Sequence, residues 1–288
     1  MDPKPSWLLI DGSSLIFRAF FGVPVASFKA PDGRPVNAVR GSLDRIASLI
    51  RDRKPRSLAV ATDEDWRPAW RVDALPEYKS HRVVEPVPPL LIPQLPLIER
   101  LLRAFGLNVI GKQDYEAEDI IASLASRVEA PIEVYSGDRD LFGIVRDPDL
   151  KVLYPEKGGL AEITEAEIER RYGIPGRRYA DYAILRGDPS DGLPGLKGVG
   201  DKAAAAMVRR YEGILDIVEN AGLADAARDY LLRAARVVAP VTDLELPVPK
   251  AGLPAQPSDP ELLEKMSREL GIASSVSRLA SALKEAGR

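Results

Sequence analysis

Nine carboxylates fall in five short clusters along the chain: Asp11, Asp63, Glu116-Ala-Glu118-Asp119, Asp138-Arg-Asp140 and Asp188-Pro-Ser-Asp191. Each cluster stands where a strand-like or loop segment should end. A fold that gathers them must also neutralise them, because carboxylates held close oppose one another's ionisation. Oxygen-only donor sets of this kind suit Mg²⁺ or Mn²⁺. The last cluster runs into Gly195-Leu-Lys197-Gly198-Val-Gly200-Asp-Lys202. A glycine loop that opens a helix suits a phosphate backbone. The combination points to metal-dependent chemistry on nucleic acid.

Composition removes most other chemistries. Cys is absent, which excludes thiolate zinc sites, disulfides and a cysteine nucleophile. His81 is the single histidine, so His-rich metal sites and most Ser-His schemes are also out, and carboxylates must carry the chemistry. The net charge of −3 becomes +6 once the nine clustered carboxylates are set aside. A modestly basic face around an acidic, metal-loaded centre fits a nuclease surface. No window approaches the ~20 apolar residues of a membrane span, and with no secretory start the expected location is cytoplasmic, in association with the nucleoid.

The first half alternates strand-like and helix-like segments. Trp7–Ile10, Ser57–Ala61, Leu107–Ile110 and Ile132–Tyr135 read as short buried strands. Val39–Arg51, Leu95–Phe105 and Tyr115–Val128 carry apolar residues at helical spacing. This pattern predicts an α/β fold with a mostly parallel sheet flanked by helices. Ligands in such sheets collect at the carboxyl ends of the strands, where Asp11, Asp63 and Asp138 fall. The pattern breaks between Ala69 and Pro93, which reads as an excursion over the sheet's edge, outside the core. From Thr164 the chain becomes helical, with a capping box at Thr164-Glu-Ala-Glu167. Helices are expected at about 177–186, 201–211, 213–220 and 225–238. The expected division is an α/β core at 1–160 including the excursion at about 69–93, a helical helix-hairpin-helix subdomain at 161–250 and a C-terminal helical extension at 251–288.

Each acidic cluster also has a plainer reading. Asp11 before Gly-Ser-Ser can be a helix N-cap. Acidic residues at 116–119 favour a helix start through its dipole. Asp138 and Asp140 can belong to a turn and cap. Their joint occurrence in five places weighs towards a common site. Pro194-Gly-x-x-Gly-x-Gly200 before a helix of small residues is the sharpest signal: the glycines let backbone N–H groups approach phosphate, and Lys202 adds charge without base readout. Tyr78-Lys79-Ser-His81-Arg82 places basic groups beside an aromatic, which suits phosphate contact.

These stretches resemble the 5′-nuclease (flap endonuclease) superfamily, above all the bacterial 5′→3′ exonuclease domain found free-standing or at the N-terminus of family-A DNA polymerases. The resemblance rests on Leu8-Leu-Ile-Asp-Gly-Ser-Ser14, Tyr78-Lys-Ser-His-Arg82, Gln94-Leu-Pro-Leu-Ile98, Tyr115-Glu-Ala-Glu-Asp-Ile-Ile121, Ser136-Gly-Asp-Arg-Asp-Leu141 and Gly187 to Lys202. It spans about residues 6–249 and keeps the family's order, and with no polymerase segment following it implies a free-standing enzyme.

The resemblance implies a first metal at Asp11, Asp63, Glu116 and Glu118, with Asp138 and Asp140 near or between two ions. Asp188 and Asp191 would define the second, with Asp119 beside them. It implies that Gly195, Lys197, Gly198, Gly200 and Lys202 grip duplex DNA, with K⁺ at the loop. Lys79 and Arg82 would approach the scissile phosphate as catalytic groups, while Phe17, Arg18 and Tyr78 would contact the DNA. Departures are Glu118 where bacterial relatives usually carry Asp, Thr62 before Asp63, Phe17 without a phenolic hydroxyl, and an arch poor in basic residues. The implied activity is two-metal hydrolysis of phosphodiester bonds at 5′ flaps, gaps or single-stranded 5′ ends, by a monomer. RNA–DNA hybrid is a further substrate, as in primer removal.

Overall fold

The computed structural model describes residues 6–83 and 87–287. Residues 84–86, part of the expected arch, and the outermost residues at both ends fall outside that description.

The core is a six-stranded sheet built from β1 (Trp7–Asp11), β2 (Ser57–Ala61), β3 (Asn108–Ile110), β4 (Ile132–Tyr135), β5 (Leu150–Glu156) and β6 (Gly159–Ile163). The spatial order is β3-β2-β1-β4-β5-β6. The first five strands are parallel, and β6 returns antiparallel to β5. Strands β1, β2 and β4 are buried along their whole length, as expected for a sheet covered on both faces. The two-residue period divides their side chains: Trp7 and Leu9 join one apolar cluster, Leu8 and Ile10 the other. The chain winds from β1 outward to β3, then crosses back to β4. The switch point therefore lies between β1 and β4, where crevices form at the strands' carboxyl ends.

Helices α1 (Gly12–Gly22), α2 (Asn37–Arg53), α3 (Ala69–Ala74), α4 (Leu95–Phe105) and α5 (Ala117–Ala125) cover the sheet. The start of α2 is held by the buried Gln94, whose Oε1 accepts from the N–H groups of Ala38 and Val39 at 2.9 and 3.3 Å. Helices α6 (Glu165–Tyr172), α7 (Tyr179–Arg186), α8 (Asp201–Arg210), α9 (Ile214–Asn220) and α10 (Asp225–Ala234) form the helical half. Thr164 caps α6 as its sequence indicates, accepting from Glu167 N at 3.2 Å. The expected helix at 225–238 stops at Ala234 and continues as turns. The boundary expected at residue 160 falls inside the β5–β6 hairpin.

One further expectation is corrected. The segment 69–93 is partly core: Arg71, Leu75, Tyr78, Lys79 and Leu91 are all buried. The C-terminal stretch also packs on the core. Residues 239–259 form an extended strap fastened by core side chains, among them Ser123, Ser126, Arg127 and Asn108. Helices α11 (Pro260–Leu270) and α12 (Ala273–Ala286) then lie on α4 and α2. Leu263, Met266, Leu270, Leu279 and Leu283 join the apolar cluster of Leu43, Ile46 and Ile50. Among the described residues, no helix is long and apolar enough to cross a membrane.

Candidate functional site

The acidic clusters converge at the switch point. Asp11 closes β1, and its Oδ1 accepts from Ser14 N (2.9 Å) as the N-cap of α1. Its Oδ2 accepts from Ser136 Oγ (2.5 Å) beyond the end of β4. The cap and the site are thus one residue. Burial, then Asp63, pushes the Asp11 carboxyl up to about 7 against the two hydrogen bonds. Asp63 follows β2 and accepts from Ser13 Oγ and from Ala117 N, both at 2.6 Å, so it caps α5 from a different strand. Burial raises its carboxyl as well.

Glu118, Asp138 and Asp140 come closest together, with one carboxylate oxygen from each lying within 4.8 Å of the others. Burial followed by the charge of Asp138 holds Glu118 well above the carboxylate range. Burial, Asp191 and Asp138 do the same for Asp140. Glu118 Oε1 is buried without a hydrogen bond, although Arg71 Nη1 lies 3.1 Å away outside bonding geometry. A buried carboxylate oxygen left unpaired beside two more acids is costly. A divalent cation would satisfy it, and hard oxygen donors are what Mg²⁺ and Mn²⁺ take. The residues present therefore fit such an ion.

Asp188 and Asp191 lie on the loop after α7. Arg139 Nη2 donates to both oxygens of Asp188 at 2.9 and 3.2 Å, and Ser190 N and Oγ donate to its Oδ1. Arg139, between two of the acids, thus ties the β4 cluster to this loop. Asp191 Oδ1 lies 3.7 Å from Lys79 Nζ and from Arg82 Nη2. Burial raises it to about 6 against the opposing charge of Lys79. Lys79 N also donates to Asp191 O (2.9 Å), and Arg82 Nη2 to Ser190 O (3.0 Å).

Four expected site residues are placed differently. Asp119 is fully buried; it accepts from Arg71 Nη2 (2.8 Å), Glu116 N (3.2 Å) and Val241 N (2.8 Å), and stands outside the acidic triad. Its lone pairs serve the fold. Glu116 is also engaged, accepting from Arg71, from Lys79 Nζ and from Tyr78 OH (2.6 Å). Tyr78 is 1% exposed, so its ring stands in the core and not on a DNA-facing surface. Lys79 is 2% exposed, with left-handed backbone (φ 48°) and its ammonium turned inward onto Glu116. Arg82 is half-exposed. Phe17 and Arg18 sit on the outer face of α1, where Arg18 Nη2 donates to Pro155 O (3.1 Å).

Helices α7 and α8 pack as a hairpin closed by the glycine loop. Gly195 (φ 70°) and Gly198 (φ 80°) are left-handed. A Cβ at Gly195 would meet the Arg186 carbonyl and Gly187 N at 2.5 Å. Gly195 N donates to Tyr230 OH (3.2 Å), which donates to Ile184 O (3.0 Å). Lys197, Gly198, Gly200 and Lys202 are exposed on the outer rim. Gly200 starts α8 without a capping side chain.

Sequence reasoning missed Arg71, Arg139, Ser13, Ser14 and Ser136. The serines carried a signal, since each stands one to three residues from a strand-end acid. Arg71 carried none, lying in a stretch read as outside the core.

A parallel sheet with carboxylates at its switch point, followed by a helix-hairpin-helix, defines a class: nucleases that process nucleic-acid ends. The family model for the 5′-3′ exonuclease N-terminal resolvase-like domain matches residues 6–173. That for the 5′-3′ exonuclease C-terminal SAM fold matches 174–261. The chain belongs to the 5′-3′ exonuclease family. It is 44% identical to a 5′-3′ exonuclease of Mycobacterium tuberculosis, over 96% of this chain and 97% of that one. It is 43% identical to one of Streptomyces coelicolor, over 96% and 99%. The bacteriophage T5 flap endonuclease, solved with DNA and metal ions, shares the fold with a TM-score of 0.68 at 16% identity, over 98% of each chain.

Proposed function

We propose that this chain is a divalent-metal-dependent, structure-specific nuclease. It hydrolyses phosphodiester bonds at the 5′ ends of DNA, as a 5′→3′ exonuclease and a flap endonuclease. The observation that carries the reading is the Glu118–Asp138–Asp140 group at the sheet's switch point, in which Glu118 Oε1 is buried without a hydrogen bond. Glu118, Asp138 and Asp140 would hold Mg²⁺ or Mn²⁺, with Asp11, Asp63, Asp188 and Asp191 around them and Glu116 available once Lys79 releases it. Bound ions supply Lewis-acid activation of water and neutralise charge on the phosphate.

The chain's own residues supply position and charge. Ser13 and Ser136 orient Asp63 and Asp11, while Ser14 Oγ accepts from Gly137 N (2.7 Å) and so ties the α1 entry to the turn after β4. Arg82 lies at the rim beside Asp191 and would meet an incoming phosphate; Lys79 would do so after leaving Glu116. The loop 195–200, with Lys197 and Lys202, would hold duplex through backbone N–H groups and charge, with K⁺ as a monovalent ligand of the loop. Phe17 and Arg18 would meet the DNA end. None of these groups reads base edges, so junction shape sets specificity. The 5′ strand can be DNA or the RNA of a primer hybrid, and the protein would act as a monomer on nucleoid DNA in the cytoplasm. We read residues 6–163 as the nuclease core, 164–250 as the DNA-binding subdomain and 251–287 as helices that complete the core, as the packing of α11 and α12 supports.

The test is cleavage of a 5′-end-labelled flap duplex by wild type and Asp140→Ala, with Mg²⁺, Mn²⁺ or chelator. Metal-dependent cuts near the junction are expected, lost in the variant while DNA binding persists. Tight junction binding without cleavage under any metal would refute the reading.

A further inference from the structure

The three acids at the start of α5 are organised around a cation that none of the expected roles includes. Arg71, in α3, is 0% exposed. Its Nη1 pairs with Glu116 and lies 3.1 Å from Glu118 Oε1, and its Nη2 donates to Asp119 Oδ1 at 2.8 Å. Trp70 and Tyr78 flank the guanidinium, with ring centroids 4.8 and 5.5 Å from Cζ. Asp119 in turn accepts from Val241 N, the first fastening of the C-terminal strap. A single planar fork thus spans the three acids at the N-cap and first turn of α5 and reaches the strap through Asp119.

The geometry at Glu118 is informative. The guanidinium attracts Oε1 by charge, yet it is misaligned for a hydrogen bond, so the oxygen's lone pairs stay free. That is the arrangement a ligand oxygen needs: held in place but not consumed. Lysine could not reproduce it, because one ammonium cannot reach Asp119 and the two glutamates along divergent directions.

We propose that Arg71 is a positioning residue for hydrolysis: it holds Glu116 and Glu118 at the edge of the metal site and anchors them through Asp119 to the strap at Val241. Asp119 belongs to this anchor and not to the metal shell. The inference rests on the metal reading given above. It also makes a choice of sign. A guanidinium that only competed with the metal for negative charge would, once weakened, leave a tighter metal site. A positioning guanidinium leaves a looser one.

The experiment is a Mn²⁺ titration of the full chain without DNA, by calorimetry and by the electron-spin signal of free Mn²⁺, for wild type, Arg71→Lys, Asp119→Asn and Asp138→Asn. Arg71→Lys keeps the charge and loses the fork. It should bind the wild-type number of ions with a Kd raised about 10- to 100-fold, the usual span for outer partners of metal ligands. In saturating Mn²⁺ its kcat on a flap duplex should fall while KM stays within about threefold of wild type. Asp138→Asn, which removes a ligand, should lose an ion from the count. Unchanged Mn²⁺ affinity and kcat in Arg71→Lys, with only a lowered melting temperature, would overturn the proposal. If Arg71→Lys does not fold, Asp119→Asn decides: full stoichiometry with affinity weakened about threefold to tenfold sustains the anchor, while wild-type affinity or a lost ion overturns it. A wild type that binds no Mn²⁺ overturns the metal reading itself, and the titration shows this before any variant is compared.

Discussion

The three glycines of the hairpin loop should not be equivalent, and the structure ranks them. Gly195 has φ 70°, a conformation that costs an L-residue about 1–2 kcal/mol. Its absent Cβ would also stand 2.5 Å from backbone atoms of Arg186 and Gly187, which cannot swing away as a side-chain tip could. Overpacking of that kind adds about 1–3 kcal/mol. Gly195→Ala should therefore cost about 2–5 kcal/mol, the sum of the two effects. Gly198 is equally left-handed (φ 80°), but nothing lies within 4 Å of its Cβ position. Only the conformational cost of about 1–2 kcal/mol applies there. Gly200 has φ −96° and open space, so its alanine should cost under about 1 kcal/mol, the loss of a favourable N-cap.

The chain can relieve strain at 195 by moving the loop, which would withdraw N–H donors from the duplex that the loop is proposed to hold. Duplex affinity, measured by fluorescence anisotropy in chelator, should then fall about tenfold or more for Gly195→Ala, since 1.4 kcal/mol of lost contact is tenfold. The salt slope should change little, because Lys197 and Lys202 remain. Thermal unfolding of the same three variants supplies the stability ranking. If Gly195→Ala melts and binds like wild type, or if Gly198→Ala is the worse of the two, the loop geometry described here is wrong.

Other outcomes follow from the site and the core. In chelator the protein should be less stable at pH 8 than at pH 5.5. Burial raises Asp11 to about 7 and Asp191 to about 6, so stability present below the unfolded pKa near 4 is lost as pH rises through those values. Mn²⁺ should narrow that gap, and melting curves at the two pH values with and without the ion check it. Leu279→Ala, at a 0%-exposed position of α12 facing the core, should cost about 2–5 kcal/mol in a urea titration followed by Trp fluorescence. An early transition silent to fluorescence would instead mark α11 and α12 as a separate unit.

Much of this architecture is legible in the chain. Asp11, Asp63 and Asp138 each end an apolar run, and in a parallel sheet that alone brings them to one edge. The glycine spacing at 195–200 marks the hairpin, and α4 matches its periodic pattern to the residue. What was not legible depends on distant partners. Arg71, Tyr78 and Lys79 read as surface groups because local hydrophobicity is the signal being read, and their burial is set by Glu116, Glu118 and Asp119, which lie some forty residues away. Asp119 shows the same effect of distance: its acidity resembles its neighbours', but only the fold shows that Arg71, Val241 N and Glu116 N occupy its oxygens. The β5–β6 hairpin was overlooked although Gly158-Gly159 marks its turn. The amphipathic faces of α11 and α12 are visible in the sequence, but nothing local says that α2 and α4 are what they cover.

That covering has a consequence for how the protein is made. Leu43, Ile46 and Ile50 are synthesised more than two hundred residues before Leu279 and Leu283, which shield them. A ribosome adding about 5–20 residues per second leaves that apolar face uncovered for roughly 10 to 50 s. Full burial of that apolar cluster therefore waits on the arrival of α12.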